Sequence, residues 1–197
     1  MLDRALRATG AIARVGVWCS GALFLAAAFL ISVDVTARKL FSITIGGSDE
    51  LSGYCLAMGA AWSYAFTLLH RANIRVDALY KYFPRPAKAA FDIVALVALS
   101  AFMAVVTFYA FQVLASSVSF GSRANAPLQT LLVIPQGIWF AGLAFFLVAL
   151  FLVTLKALLL FADRRYAELD RLAGLPSASE EVEEELAGAK ARMEETP

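Results

Sequence analysis

The residues best suited to chemistry in this sequence are one histidine and two cysteines, and their positions exclude several kinds of site. His70 is the only histidine, so the chain cannot supply two axial imidazoles to a b-type haem or build a histidine-rich metal cluster. Cys19 and Cys55 lie near the starts of two successive, antiparallel predicted helices, which separates them beyond the reach of a disulfide. We predict no catalytic residue, no metal and no cofactor, and therefore a protein that is not an enzyme.

The carboxylates offer no evident substrate site inside a membrane either. Asp34 and Asp92 lie close to the ends of predicted helices, where we expect water or lipid headgroups to solvate them. The helix interiors offer mostly Ser, Thr and small residues, with Gln112, Tyr64 and Tyr109 as larger polar side chains. Transporters of charged solutes usually keep ionisable groups near the middle of the membrane. We therefore predict that this chain does not carry the substrate site itself.

Four long apolar runs must position these residues. Hydrophobic residues make up 60% of the chain and charged residues 17%. No Asp, Glu, Lys or Arg occurs within 15–33, 51–69, 93–122 or 124–155. Each run can hold the roughly 20 residues that a helix needs to cross a hydrocarbon core of about 30 Å. We predict an all-α integral membrane protein with four transmembrane helices, near 15–35, 51–70, 89–115 and 134–161, within a membrane domain over 15–162.

The basic residues predict how these helices are oriented. Most Lys and Arg lie on the side that holds both termini and the middle loop, and such residues are retained in the cytoplasm. We expect residues 1–14 to form a cytoplasmic, amphipathic segment on the membrane surface, where anionic lipids favour basic groups. Residues 163–197 are expected to form an acidic, solvated or partly helical cytoplasmic tail. This division of charge argues against a nucleic-acid partner.

Small and aromatic residues predict how the helices pack. Gly16 and Ser20 approximate the small-xxx-small spacing that allows close helix approach. The second predicted helix shows the same pattern, with small residues at Gly53, Ala57, Ala60 and Ala61. The chain has three tryptophans, among which we expect residues of an interfacial aromatic belt; they are Trp18, Trp62 and Trp139.

The loop between the second and third predicted helices carries charges suited to assembly. Asp77 can pair with Arg71 or Arg75, and Lys81 stands four residues after Asp77, a favourable spacing on a helix. One interpretation is a bracket that fixes the neighbouring helices and a partner subunit. The other is a basic loop that lies on anionic lipid, which alone would explain most of its charge.

Two segments resemble a known family. SDELSGYCLAMGAAWSYAFTLLHRANIRVDALYKYFP at 48–84 and APLQTLLVIPQGIWFAGL at 126–143 resemble the small membrane subunit, the Q-type small permease component, of tripartite ATP-independent periplasmic (TRAP) transporters. The most specific element is Ile-Arg-Val-Asp at 74–77. Asn73 stands where the family often has histidine, which puts a titratable role at that position in doubt. The order and spacing of these motifs carry the resemblance.

The resemblance implies a small subunit of a three-part symporter in a bacterial inner membrane. A soluble periplasmic protein would capture the solute, often an organic acid, and a large membrane subunit would move it inward with sodium. The small subunit would brace the large one and contact the periplasmic protein transiently through its outward loops. We take the following as candidate assembly residues: Asp49, Glu50, Arg71, Asn73, Arg75, Asp77, Pro127, Gln129, Pro135 and Gln136.

Two other functions remain open at this point. A self-sufficient small transporter or channel could form by oligomerisation, and a polar stripe lining a pore would favour it. A membrane anchor for a redox or signalling complex is the other. The missing second histidine counts against its haem-binding version.

Overall fold

A computed structural model describes residues 1–72, 83–174 and 186 of the 197-residue chain. The described part is all-α, as predicted, and contains no strand beyond one isolated bridge between Arg123 and Leu131. Its helices are α1 (Leu2–Phe41), α2 (Ser48–Leu69), α3 (Arg85–Phe120), α4 (Val133–Ala162) and α5 (Tyr166–Ala173).

The helices end where the sequence supplies residues that stop them. α1 and α3 both terminate at a residue in the left-handed conformation, Ser42 (φ 56°) and Gly121 (φ 59°). α3 begins directly after Pro84 and has Pro86 in its first turn, where a missing backbone N–H costs no intrahelical hydrogen bond. Each of the four long helices starts and stops within about six residues of the predicted crossing, apart from the start of α1.

α1 is longer than the sequence indicated. Residues 1–14 and the crossing at 15–35 were predicted as separate elements, but a single helix runs through both, from Leu2 to Phe41. No proline interrupts this stretch. Its one early glycine, Gly10, lowers the stability of the helix but does not end it. Thr9 and Ala13 are buried, so this part of α1 packs against protein.

Within the described residues, three helices are long and apolar enough to cross a membrane, namely Leu2–Phe41, Pro86–Phe120 and Val133–Ala162. α2 falls outside this group because its serines, tyrosines and tryptophan lower its mean hydropathy. Its 22 residues nevertheless extend over about 33 Å, comparable to a hydrocarbon core of about 30 Å.

The four long helices are arranged in a row, in the order α1, α2, α4, α3. α2 packs against α1 and α4, and α4 packs against α2 and α3, with only a small contact between α1 and α4. Gly59 of α2 contacts Phe24 of α1, while Ser100 of α3 hydrogen-bonds Thr154 of α4 over 3.2 Å. A row of this kind leaves the flanking helices α1 and α3 largely exposed.

α4 is the centre of the core. Its buried residues recur every three or four positions, which places them in stripes that contact both neighbouring helices. They are Pro135, Gly142, Leu143, Phe146, Ala149, Leu150, Val153, Thr154, Ala157 and Leu160. The packing of this helix explains why α2 and α3 can be held together with little direct contact between them.

The bundle has two ends, which we name by the elements that form them. We call the end formed by residues 42–47 and 121–132 the loop end, and the end formed by the start of α1, residues 70–72, the start of α3 and α5 the α5 end. α5 itself lies in the segment predicted as a solvated or partly helical tail. Leu169 is fully buried, so this first part of the tail packs against α3 and α4.

Candidate functional site

Asp34 organises the connection between α1 and α2 at the loop end. Its Oδ1 accepts a hydrogen bond from the backbone N–H of Ile45 (2.6 Å), and its Oδ2 accepts one from Nη2 of Arg38 (2.5 Å). Asp34 is only 2% exposed, so the expectation that water or headgroups solvate it was wrong. The chain after α1 folds back over the carboxylate and replaces water with a backbone donor.

Asp92 was also expected to be solvated, and this was wrong for a similar reason. It is 3% exposed and lines a polar cavity of about 250 Å³ beneath α5, together with Lys88, Tyr166 and Asp170. α5 covers this part of α3, and the sequence pattern gave no sign that α5 would pack there.

Glu50 joins the first turn of α2 to the segment before α4. The hydroxyl of Tyr54 donates to Glu50 Oε1 over 2.9 Å, and the backbone N–H of Thr130 donates to the same oxygen over 3.3 Å. Hydrogen bonding from Thr130 lowers the pKa of Glu50, which precedes the crossing predicted from Leu51, although burial acts in the opposite direction. The second oxygen, Oε2, is buried and has no hydrogen-bond partner among the described residues.

Two glycines allow the loops of this end to pack closely. Gly47 has φ +91°, and a Cβ at this position would collide with the side chain of Leu128. Gly46 lies directly beneath Pro127. The two connections 42–47 and 121–132 are therefore in contact, although about 80 residues separate them in sequence.

The loop end contains two cavities lined by predicted assembly residues. One, of about 430 Å³, is bounded by both connections and includes Asp49, Glu50 and Pro127 in its lining. A smaller one of about 180 Å³ is lined by Tyr54 together with Pro135 and Gln136. Gln136 Oε1 is buried without a partner among the residues described.

The structure thus brings most of the predicted assembly residues to one end. Asp49, Glu50, Pro127, Gln129, Pro135 and Gln136 all lie at or beside the loop end. Arg71 lies at the α5 end, where its Nη1 donates to the backbone carbonyl of Asp170 over 3.5 Å. Asn73, Arg75 and Asp77 lie outside the described residues, so the bracket hypothesis for that loop stays a prediction.

Trp62 joins three helices inside the bundle. Its Nε1 donates to the carbonyl of Ile138 in α4 over 3.0 Å, and its ring stacks on Phe145 at a centroid distance of 5.8 Å. Gly16 of α1 and Gly142 of α4 approach it from the two sides. Trp62 is therefore a packing residue, and its position about two helical turns from the nearer end of α2 is the signal that distinguishes it from an interfacial tryptophan.

Only some of the small residues predicted to allow close helix approach lie in helix contacts. Gly16, Ser20 and Ala61 are buried in helix contacts, whereas a Cβ at Gly53 would meet open space. In the described part of the chain, no group of three or more His, Cys, Asp or Glu residues could hold a metal ion. The arrangement suits helix packing and protein contact, and it offers no catalytic constellation among those residues.

Comparison with known proteins identifies the family. Residues 27–163 match the family model described as "Tripartite ATP-independent periplasmic transporters, DctQ component". The matched region runs through α2, α3 and α4, and it includes both segments that carried the resemblance. Searches of curated proteins and of solved structures each found no match. The chain therefore belongs to the DctQ component family of the TRAP transporters and is a small permease component of a transporter.

Proposed function

We propose that this chain braces the large membrane subunit of a TRAP transporter during sodium-driven uptake of an organic acid delivered by a periplasmic binding protein. The observation that carries this proposal is the row of helices. α1 and α3 each pack along one side only and leave wide apolar faces, as a subunit that extends a scaffold within a membrane requires. Among the described residues, the Asp, Glu, Lys and Arg side chains that a site for a charged solute would need lie mostly toward the two ends.

Four membrane crossings fit this role. α2 is long enough to cross, and it lies between α1 and α4, both of which are apolar enough to span. Glu50 contacts Thr130 near the start of α2, and the tilted rings of Tyr64 and Phe146 are in contact further along both helices. α2 and α4 therefore run in the same direction, as the second and fourth crossings of a four-helix protein must.

The distribution of charge supports an orientation with the α5 end in the cytoplasm. The basic residues described near that end are Arg4, Arg7, Arg71, Lys88, Lys156, Arg164, Arg165 and Arg171. The loop end has Arg38, Lys39 and Arg123. Because basic residues near helix ends are retained in the cytoplasm, both termini should be cytoplasmic.

Reporter fusions test this orientation. A reporter that is active only outside the cytoplasm should be inactive when fused after Pro197 and active when inserted after Ser122 at the loop end. A cytoplasm-specific reporter at the same positions should give the reverse pattern. Activity of the first reporter after Pro197 would contradict the proposed topology.

Reconstitution tests the supporting role. In vesicles with an inward sodium gradient, uptake should require this chain, the large membrane subunit and the periplasmic binding protein together. This chain alone should give no uptake, because its described helices place no ionisable cluster at membrane depth. Sodium-driven uptake by this chain alone would overturn the proposal and favour the self-sufficient transporter.

The loop end is the surface that we assign to the periplasmic binding protein. Replacing Asp49 by lysine reverses an exposed charge there and should raise by roughly fivefold the concentration of binding protein that gives half-maximal uptake, the range expected for exposed ion pairs. The effect should shrink at high salt, since exposed charges are screened.

Asp163 provides the matched control. It is also an exposed aspartate, but it lies at the α5 end, so its replacement by lysine should leave that concentration unchanged. Equal effects of the two variants would argue against contact with the binding protein through the loop end.

A further inference from the structure

Three polar side chains form a stripe on the exposed side of α3. Tyr109, Gln112 and Ser116 are all exposed, and their spacing of three and four residues places them on one side of the helix. Ala110, which is buried, lies about 200° around the helix from Gln112, since successive residues are about 100° apart. This polar stripe therefore points away from α4, which packs against the opposite side of α3.

Contacts with α4 place the polar stripe at membrane depth. The ring of Phe111 lies 5.7 Å from the ring of Phe140 in α4, so Gln112 is level with Phe140. Two residues further along α4, Gly142 lies against Ala61, close to the middle of the 22-residue helix α2. Because α2, the second of the proposed crossings, is about as long as the hydrocarbon core is thick, Gln112 lies well inside that core.

The amide of Gln112 needs hydrogen-bond partners at this depth. No described residue bonds to it within the chain, and lipid tails offer neither donors nor acceptors. An unbonded amide in an apolar environment is unfavourable, whereas glutamine, serine and threonine side chains commonly hydrogen-bond from one membrane helix to another. The polar stripe therefore indicates that another membrane helix covers this side of α3.

The other flanking helix, α1, lacks such a stripe. It contains no Asn or Gln. Each of its hydroxyl side chains donates to the backbone carbonyl four residues earlier, and these residues are Thr9, Ser20, Ser32 and Thr36. The hydroxyls are satisfied inside their own helix, so lipid can cover the outer side of α1 without leaving them unpaired.

The family supplies the occupant that fits this side of α3. A small permease component of a TRAP transporter shares its bilayer with a large membrane subunit, whose helices can lie beside α3 at the required depth. A pore formed by copies of this chain fits the stripe less well. The distance from Tyr109 to Ser116 is about 10 Å at the helical rise, only about a third of the hydrocarbon core.

We propose that the side of α3 that carries Tyr109, Gln112 and Ser116 is the docking surface for a membrane helix of the large subunit, and that the outer side of α1 contacts lipid. The inference rests on the proposed bracing role and specifies which side of the row performs it. The partner helix presents a hydrogen-bonding group level with Gln112. Phe108, exposed beside the polar stripe, packs against the same helix.

Removing the amide tests the hydrogen bond. Gln112→Leu should weaken binding of the large subunit in mixed micelles by roughly threefold or more, as expected for the loss of one hydrogen bond between membrane helices. The amount of folded chain in the membrane should not fall, because the amide has no partner within the described part of the chain. Unchanged binding would overturn the proposal.

Two identical substitutions test the choice of helix. Ala101 lies three turns before Gln112 on the same side of α3, Ala22 lies on the outer side of α1, and both are exposed. Ala101→Leu should weaken binding of the large subunit by roughly tenfold, because small residues allow close helix approach. Ala22→Leu should bind like the unsubstituted chain. Equal results for the two variants, or the reverse pattern, would overturn the proposal.

Photo-crosslinking identifies the occupant directly. Val105, beside the polar stripe, and Leu25, on the outer side of α1, are 55% and 74% exposed. Benzoylphenylalanine in place of Val105 should crosslink to the large subunit in membranes that contain the whole transporter, and the same residue in place of Leu25 should not. Crosslinking of position 105 to a second copy of this chain, or to phospholipid alone, would contradict the proposal.

Copurification separates this inference from the proposed function. Suppose that the unsubstituted chain copurifies with the large subunit and supports three-part uptake, but position 105 forms no adduct with that subunit. The choice of α3 is then wrong, and the bracing role stands. If the unsubstituted chain does not bind the large subunit at all, both proposals are wrong.

Discussion

Replacing Gly142 by leucine should open the contact between α2 and α4 and lower the free energy of unfolding by about 3 kcal/mol or more, the upper part of the range for overpacking. A Cβ at Gly142 would lie 2.9 Å from Trp62 Cδ1, 3.0 Å from Ala61 Cβ and 3.1 Å from the Ala61 backbone. A leucine places still more atoms in this space. Because Trp62 is fixed by its hydrogen bond to Ile138, the ring cannot simply rotate away.

Gly137 on the same helix provides the control. A Cβ there meets nothing within 4 Å, so Gly137→Leu should be tolerated and could add up to about 1 kcal/mol through helix propensity. Unfolding of both variants in mixed micelles, followed by tryptophan fluorescence, compares them directly. Similar stability of the two leucine variants would show that the α2–α4 contact is looser than the structure indicates.

The loss of stability caused by Gly142→Leu should also impair assembly with the large subunit. α4 is the central helix of the row, so a displaced α2 takes α1 and the loop end with it. Copurification with the large subunit should fall together with stability for Gly142→Leu and remain normal for Gly137→Leu. This coupling between a buried glycine and subunit assembly is the expected consequence of a scaffold built from a single layer of helices.

The sequence predicts the helices well because their signal is local. Charge-free runs locate α2, α3 and α4 within a few residues. Pro84 and Pro127 lie in the connections between them, and Pro86 and Pro135 lie in the first turns of α3 and α4. It does not predict that α1 is continuous, because an amphipathic segment and an apolar segment can share one helix without any change in backbone preference. Nor does it predict that α5 packs on the bundle, because this packing depends on the surface that α3 and α4 present.

The sequence predicts the candidate site only in part, because contacts between distant segments are not encoded locally. Asp49 and Glu50 lie in the first turn of α2, whereas Pro127 and Gln129 lie in the connection 121–132, so the sequence identifies each pair separately. Their contact depends on α2 and α4 running side by side in the same direction, which requires tertiary information. Residue type alone allows an interfacial role for both Trp62 and Asp34, whereas their burial is decided by neighbours distant in sequence.

At the loop end, the substitution with the largest expected effect on stability is that of Asp34, whose burial depends on the tertiary structure. Asp34→Ala should lower the free energy of unfolding by about 2 kcal/mol, because the partly buried N–H of Ile45 loses its acceptor and unpaired backbone groups cost about 1–3 kcal/mol when they are buried. Arg38 also loses its partner, but its side chain is 52% exposed, so water compensates for most of that loss. The connection 42–47 should consequently become more sensitive to proteolysis.

Two further variants separate the contributions of Asp34. Arg38→Ala keeps the Ile45 hydrogen bond and removes an ion pair whose arginine is half exposed and whose carboxylate is buried, so it should cost about 1 kcal/mol, less than Asp34→Ala. Asp34→Asn keeps an acceptor for Ile45 but removes the charge, so its cost should lie between the other two. If Arg38→Ala were as destabilising as Asp34→Ala, the ion pair rather than the backbone contact would hold the connection. The ordering of the three unfolding free energies therefore shows whether Asp34 acts mainly as a charge or as the acceptor that folds the chain back toward α2.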